Sequence, residues 1–72
     1  MTAAQLIARN RRAEDMSREA LALAVQLPSF TARKVERIEN GRPIRLDEAV
    51  AICEVLPELS ISQLVDAVRA RL

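Results

Sequence analysis

The sequence predicts an all-α fold, a compact bundle of five short helices in one domain, and three observations carry that expectation. Apolar residues recur at three- and four-residue spacing in separate stretches, and no alternating apolar run of strand type appears. One glycine and three prolines leave little turn chemistry for hairpins. Half of the 72 residues are apolar, yet Phe30 is the only aromatic, so the core has to be assembled from Leu, Ile, Val and Ala. At this length a single core rarely supplies more than about 3–5 kcal/mol, which makes helix caps matter.

The first helix is expected from Ala3 to Glu14, with Thr2 as its N-cap and Leu6 and Ile7 leading the buried side. Asp15 and Met16 end it. Ser17 caps a second helix, Arg18 to Val25, where Glu19 suits the positive end of the helix dipole. Its stripe is Leu21, Ala24 and Val25, and Ala20 and Ala22 are small enough for a neighbouring helix to approach. Gln26 to Phe30 is a connection, because Pro28 lacks an N–H donor and disfavours helix at Leu27. Leu27 and Phe30 are expected to plug the core from it.

Thr31 is the next N-cap, for a third helix from Ala32 to Asn40 that Gly41 stops by adopting positive φ. A fourth helix runs from Leu46 to Leu56, with Leu46, Ala49, Val50, Ile52, Cys53 and Leu56 as its apolar set, and Pro57 ends it. Ser60-Ile61-Ser62-Gln63 has the form of a capping box and opens a fifth helix through Val68. That helix carries Ile61, Leu64, Val65, Val68 and Leu72.

Composition excludes several function classes. A single Cys53 and no histidine leave no intramolecular disulfide and no ordinary zinc constellation, so no metal and no cofactor is expected. Cys53 falls on an apolar stripe, where a thiol is expected as a core residue. No apolar run approaches the ~18 residues of a membrane span and none has the form of a signal peptide, so a cytoplasmic protein is expected. No Gly-rich loop precedes a helix and no carboxylate pair sits in a plausible concave site, so the chain is not expected to be an enzyme. Net charge is only +1, but its distribution is uneven. Arg33, Lys34, Arg37, Arg42 and Arg45 face only Glu36 and Glu39 between Thr31 and Arg45, whereas Leu46 to Asp66 holds five acids and no cation. A basic region followed by an acidic one is the asymmetry expected when one face meets a polyanion.

The third helix has two unlike faces. At ~100° per residue, Val35 and Ile38 point one way, with Glu39 beside them, and Arg33, Arg37 and Asn40 point the other. An arginine can donate two hydrogen bonds to guanine O6 and N7, each good pair giving ~1–3 kcal/mol of discrimination between bases. Thr31, at the helix start, is placed to meet a backbone phosphate beside free N–H groups.

Ser17-Arg18-Glu19-Ala20-Leu21-Ala22, followed by Val35-Glu36-Arg37-Ile38-Glu39-Asn40-Gly41-Arg42, resembles the Cro/repressor-type (lambda-repressor-like) helix-turn-helix family. Leu46, Val50, Ile52 and Leu56 with Ser60 to Val65 look like its continuation, so the resemblance covers Leu6 to Val65. It implies a five-helix domain whose second and third helices form a DNA-binding pair. By position it assigns base reading to Ala32, Arg33 and Arg37, with Ala32 placed to touch a thymine methyl. It assigns phosphate contacts to Thr31, Lys34, Asn40, Arg42 and Arg18. The family also pairs the positions of Arg11 and Glu39, which implies a partly buried ion pair tying the first helix to the third. The chain departs from the pattern at Asp15, where glycine is common, and at Asn10, where an apolar residue is usual. The Gln26 to Phe30 turn is about three residues longer than the tightest version, and one extra residue appears at Pro57-Glu58-Leu59.

The expected function is a small Cro-like or phage-type transcriptional repressor reading the DNA major groove as a homodimer. A single such module buries only roughly 600–1,000 Å² on DNA, which favours two copies on adjacent half-sites. Candidate contacts between copies are Leu64, Val68 and Leu72 and the Pro57 to Leu59 corner. The alternative is a helical module, or an antitoxin, whose main partner is another protein. Steep loss of affinity with salt separates phosphate binding from apolar protein contact.

Overall fold

The computed structural model describes residues 1–72 as five helices with no strand: α1 Ala3–Ala13, α2 Arg18–Val25, α3 Ala32–Glu39, α4 Leu46–Val55 and α5 Ile61–Arg69. α2 packs on α3 and α4, α1 packs on α3 and α5, and α4 packs on α5. None of the helices is long and apolar enough to cross a membrane.

The expected caps form. Gln5 N–H donates to Thr2 Oγ1 at 3.1 Å while Thr2 N–H donates to Gln5 Oε1 at 2.9 Å, a reciprocal box that relieves two of the unpaired donors of a helix start. Ser60 and Gln63 repeat it on α5, at 3.2 and 2.8 Å. Ser17 Oγ accepts from Ala20 N–H at 3.0 Å and Thr31 Oγ1 from Lys34 N–H at 3.4 Å. α4 starts differently. Its N-cap is Arg45, whose N–H donates to Glu48 Oε1 at 2.9 Å, the backward half of a capping box. α1, α3 and α4 each stop one residue before the expected end, with Glu14, Asn40 and Leu56 as C-caps. Gly41 closes α3 at φ 107°, its N–H donating to Ile38 O and that of Arg42 to Arg37 O, both at 3.0 Å. This is a Schellman stop.

One core cluster joins all five helices, led by the fully buried Ile7, Leu21, Ile52 and Leu56, with Val35, Ile38, Leu59 and Leu64 nearly so. Phe30 is buried in it and Leu27 packs against it, as the sequence suggests. Three expectations are corrected. Ala24 is exposed and Ala22 is buried. α2 contacts two helices, so its inward face centres on Val25 between Leu21 and Ala22, about 100° from Ala24. On α4 the inward face runs through Glu48, Ala49, Ile52 and the C-cap Leu56, which turns Leu46 and Val50 out to 76% and 43% exposure. Cys53 sits at the edge of that face, half-buried, and burial pushes its thiol pKa up.

The two departures at the end of α1 have local explanations. Asn10 Nδ2 donates to Leu6 O one turn back at 2.8 Å, so the amide is satisfied on its own helix. Asp15 adopts φ 55°, the left-handed conformation that glycine takes without strain and that Asp tolerates better than most residues.

Candidate nucleic-acid interface

α3 is seated by its apolar side. Val35 and Ile38 are 1% and 2% exposed, while Thr31, Arg33, Glu36, Arg37 and Asn40 are exposed, and Ala32 and Lys34 are half-buried. Both arginines lie opposite Val35 on the helix. Arg33, Lys34 and Arg37 form no ion pair and donate no side-chain hydrogen bond within the chain, whereas Arg11, Arg18, Arg42 and Arg45 all pair with carboxylates. The cations thus divide into Arg11, Arg18 and Arg42, held by buried carboxylates, Arg45, in an exposed pair with Asp47 at 3.4 Å, and a free set whose members near the chain's centre sit on α3.

The anchor beneath α3 is the Glu39 carboxylate, 3% exposed as a side chain. Arg11 donates to it through Nε at 2.7 Å and Nη2 at 3.2 Å, and Arg18 Nε donates to Oε1 at 3.0 Å. Arg11 Nη1 also donates to Met16 O at 2.8 Å, just beyond the end of α1. One carboxylate therefore ties α1, the α1–α2 junction and the start of α2 to the end of α3. Burial raises the Glu39 pKa, but the hydrogen bonds and charges of Arg11 and Arg18 outweigh it, so the group stays below the ordinary carboxylate value. The expected Arg11–Glu39 pair is present; Arg18 as a second partner was not foreseen.

Arg18 and Arg42 take internal partners, although the resemblance assigns both to the phosphate backbone. Arg18 reaches Glu39 and, at 3.6 Å, Glu36. Arg42 Nη2 bridges both oxygens of Glu48, at 3.2 and 3.0 Å, and Nη1 donates to Pro43 O. Glu48 is buried at 6% exposure, so Arg42 closes the α3–α4 link over it. Without that guanidinium the buried Glu48 carboxylate would stand unpaired, which is strongly destabilising. Their side chains remain 38% and 32% exposed, which leaves N–H groups facing solvent.

Arg12 was missed by sequence reasoning. It is exposed and unpaired at the end of α1 and lines a shallow polar depression with Ser17, Arg18, Ala32 and Arg33. The depression opens where α1 ends and α2 and α3 begin, so guanidinium groups and helix-start N–H groups converge there beside the carboxylates of Glu19 and Glu36. Its sequence signal was the run Asn10-Arg11-Arg12, in which adjacent arginines point to different sides of the helix: one inward, one out. No three His, Cys, Asp or Glu side chains are grouped to hold a metal ion.

No family model matches the chain, and no curated protein or solved structure matches it either.

Proposed function

We propose that the chain is a sequence-specific double-stranded DNA-binding regulator of transcription, a helix-turn-helix module of the compact repressor type, with α2 and α3 as the DNA-binding pair. The observation that carries this reading is the single face of α3 on which Arg33 and Arg37 project free of any carboxylate, while Val35 and Ile38 seat the opposite side. A short helix of this build fits the major groove, which is about 12 Å wide, and its two forks match the guanine edge. Ala32 stands at the helix start against a base edge or thymine methyl. Thr31, Lys34, Asn40 and Arg12 hold phosphates, joined by the solvent-facing N–H groups of Arg18 and Arg42.

The domain measures 30 × 22 × 18 Å, and half-sites one helical turn apart are roughly 34–36 Å from centre to centre. Two copies seated on adjacent turns are therefore near enough to touch, which supports binding as a pair. The competing reading, a helical module whose main partner is a protein, is favoured by the exposed apolar side chains of α4 and α5. Selection of bound duplexes from a random pool tests the proposal. A recurrent motif with guanines at fixed positions is the expected result, with Arg33→Ala and Arg37→Ala each relaxing preference at particular positions. Failure to enrich any sequence, with no retention of duplex at low salt, overturns it.

A further inference from the structure

We propose that Glu36 is a further base-reading residue, which accepts a hydrogen bond from the N4 amine of a cytosine and rejects other bases at that position; this rests on the reading of α3 as a groove helix. α3 carries two acids. Glu39 is buried and held by Arg11 and Arg18. Glu36 is exposed, its side chain keeping 53% of its surface open. At ~100° per residue it lies about 60° around the helix from Arg33, on the same outward half. It stands on the side nearer α2, where it lines the depression with Ser17, Arg18 and Arg33.

The Glu36 carboxylate is not committed within the chain. The cation it meets is Arg18 Nη1 at 3.6 Å, too far for a hydrogen bond. The Nε of that arginine is already given to Glu39, at 3.0 Å. Entering a groove strips water from a carboxylate, and one left without a donor is costly. Phosphate oxygens repel it, so a base amine has to supply the donor. Adenine presents its N6 amine beside the N7 acceptor, whose lone pair opposes the second carboxylate oxygen. Guanine and thymine present acceptors at this edge, while cytosine presents the N4 amine alone. Cytosine is the base that fits, and the others are rejected by leaving a charge unpaired.

Arg33 sets the register. Residues three apart on a helix have Cβ atoms about 5–6 Å apart, and bases along one strand step by about 3.4 Å. The cytosine therefore falls within two base pairs of the guanine that Arg33 reads. Arg33 forms no ion pair with Glu36, so both side chains are available to bases. When Glu36 turns into the groove, Arg18 keeps Glu39 through Nε and offers its terminal nitrogens to a phosphate.

Selection of bound duplexes from a random pool by the full chain, run in parallel for wild type, Glu36→Ala and Glu36→Gln, tests the assignment. Both variants alter an exposed side chain and are expected to keep the helical circular dichroism of the wild type. The wild-type motif is expected to hold a cytosine within two base pairs of the guanine whose preference Arg33→Ala relaxes. Glu36→Ala relaxes that position alone, and Glu36→Gln moves it to adenine, whose N6 and N7 a glutamine matches. Exchanging the cytosine pair in the selected duplex is expected to weaken wild-type binding about tenfold or more, and Glu36→Ala binding by less than about threefold. A wild-type motif without that cytosine, or either variant returning the wild-type motif unchanged, overturns the role of Glu36. If guanines are still enriched through Arg33 and Arg37 in that case, groove reading by α3 stands without it. A pool in which no sequence is enriched removes both.

Discussion

Arg11 Nε lies 2.7 Å from Glu39 Oε2 across the contact between α1 and α3, and the two side chains are only 10% and 3% exposed. A pair this buried has already lost its water, so removing one partner strands the other. Breaking such pairs costs about 3–5 kcal/mol, a large share of the roughly 4–11 kcal/mol expected for a domain of this length. Glu39→Ala orphans the Arg11 guanidinium and releases Arg18, and is expected to be the most destabilising. Arg11→Ala leaves Glu39 with Arg18 and costs less. Arg18→Ala removes a partner that is more than a third exposed and costs less than about 1 kcal/mol. Urea unfolding of the three variants checks the order, and an Arg18→Ala loss as large as that of Glu39→Ala contradicts it.

The same carboxylate sets an acid sensitivity. The Glu39 pKa in the folded chain is held below its ordinary value of 4.5 by Arg11 and Arg18, against the upward push of burial. Because the folded value is depressed, the unfolded chain takes up the proton first as pH falls. The stabilisation is complete above the unfolded pKa and disappears as pH drops through the folded one. The melting temperature is expected to fall on acidification below about pH 4.5, and Glu39→Gln, unstable at neutral pH, is expected to lose less over that interval. Melting curves of both proteins from about pH 3 to 6 check it. Parallel pH profiles for the two would remove Glu39 as a source of the effect.

Most of this architecture is legible in the residues because helix signals are local. Thr2, Ser17, Thr31 and Ser60 mark four helix starts by hydrogen bonds to residues three positions on, and Gly41 marks an end by its backbone freedom. What was not legible depends on which neighbours a helix meets. Ala24 and Ala22 have the same composition and nearly the same position, and only the packing of α2 against both α3 and α4 decides which is buried. The assignment of arginines is a similar case. Five cations lie between Thr31 and Leu46, but their separation into free Arg33, Lys34 and Arg37 and paired Arg42 and Arg45 depends on carboxylates six residues or fewer away along a turn whose path is tertiary. Arg12 escaped because its neighbour Arg11 absorbed the explanation for a basic helix end.

Backbone strain offers a way to raise stability without touching the proposed interface. Asp15 and Ser29 hold φ of 55° and 60°, a conformation that costs an L-residue about 1–2 kcal/mol, somewhat less for Asp. Glycine relieves that strain but loses more chain entropy on folding. Asp15→Gly and Ser29→Gly are each expected to gain about 0.5–1 kcal/mol net, or several degrees in melting temperature for a domain of this size. Gly41→Ala goes the other way. At φ 107°, with nothing within 4 Å of an added Cβ, its loss is entirely backbone strain, expected at about 1 kcal/mol or more. Thermal melts of the three variants check the signs, and a stabilising Gly41→Ala would refute the argument.

Salt dependence separates the roles proposed for the cations. A phosphate contact contributes its own counterion, so deleting one lowers the slope of log K against log salt by about 0.9 and weakens all sequences alike. Arg12→Ala and Lys34→Ala are expected to behave in this way. Arg37 stands opposite Val35 on α3, and neither it nor Arg33 is paired with a carboxylate, the neighbouring Glu36 reaching Arg18 instead. Arg33→Ala and Arg37→Ala are therefore expected to cost ~1–3 kcal/mol on the selected site and much less on unrelated duplex. Binding isotherms across a salt series, on the selected duplex and on a scrambled one, resolve the two behaviours. If Arg12→Ala discriminates between duplexes and Arg37→Ala does not, the base-reading surface lies at the α1–α2 junction and not on α3. The depression shared by Arg12 and Arg33 is the one place where the two roles meet, so a mixed result at Arg33 would locate the edge of the groove there.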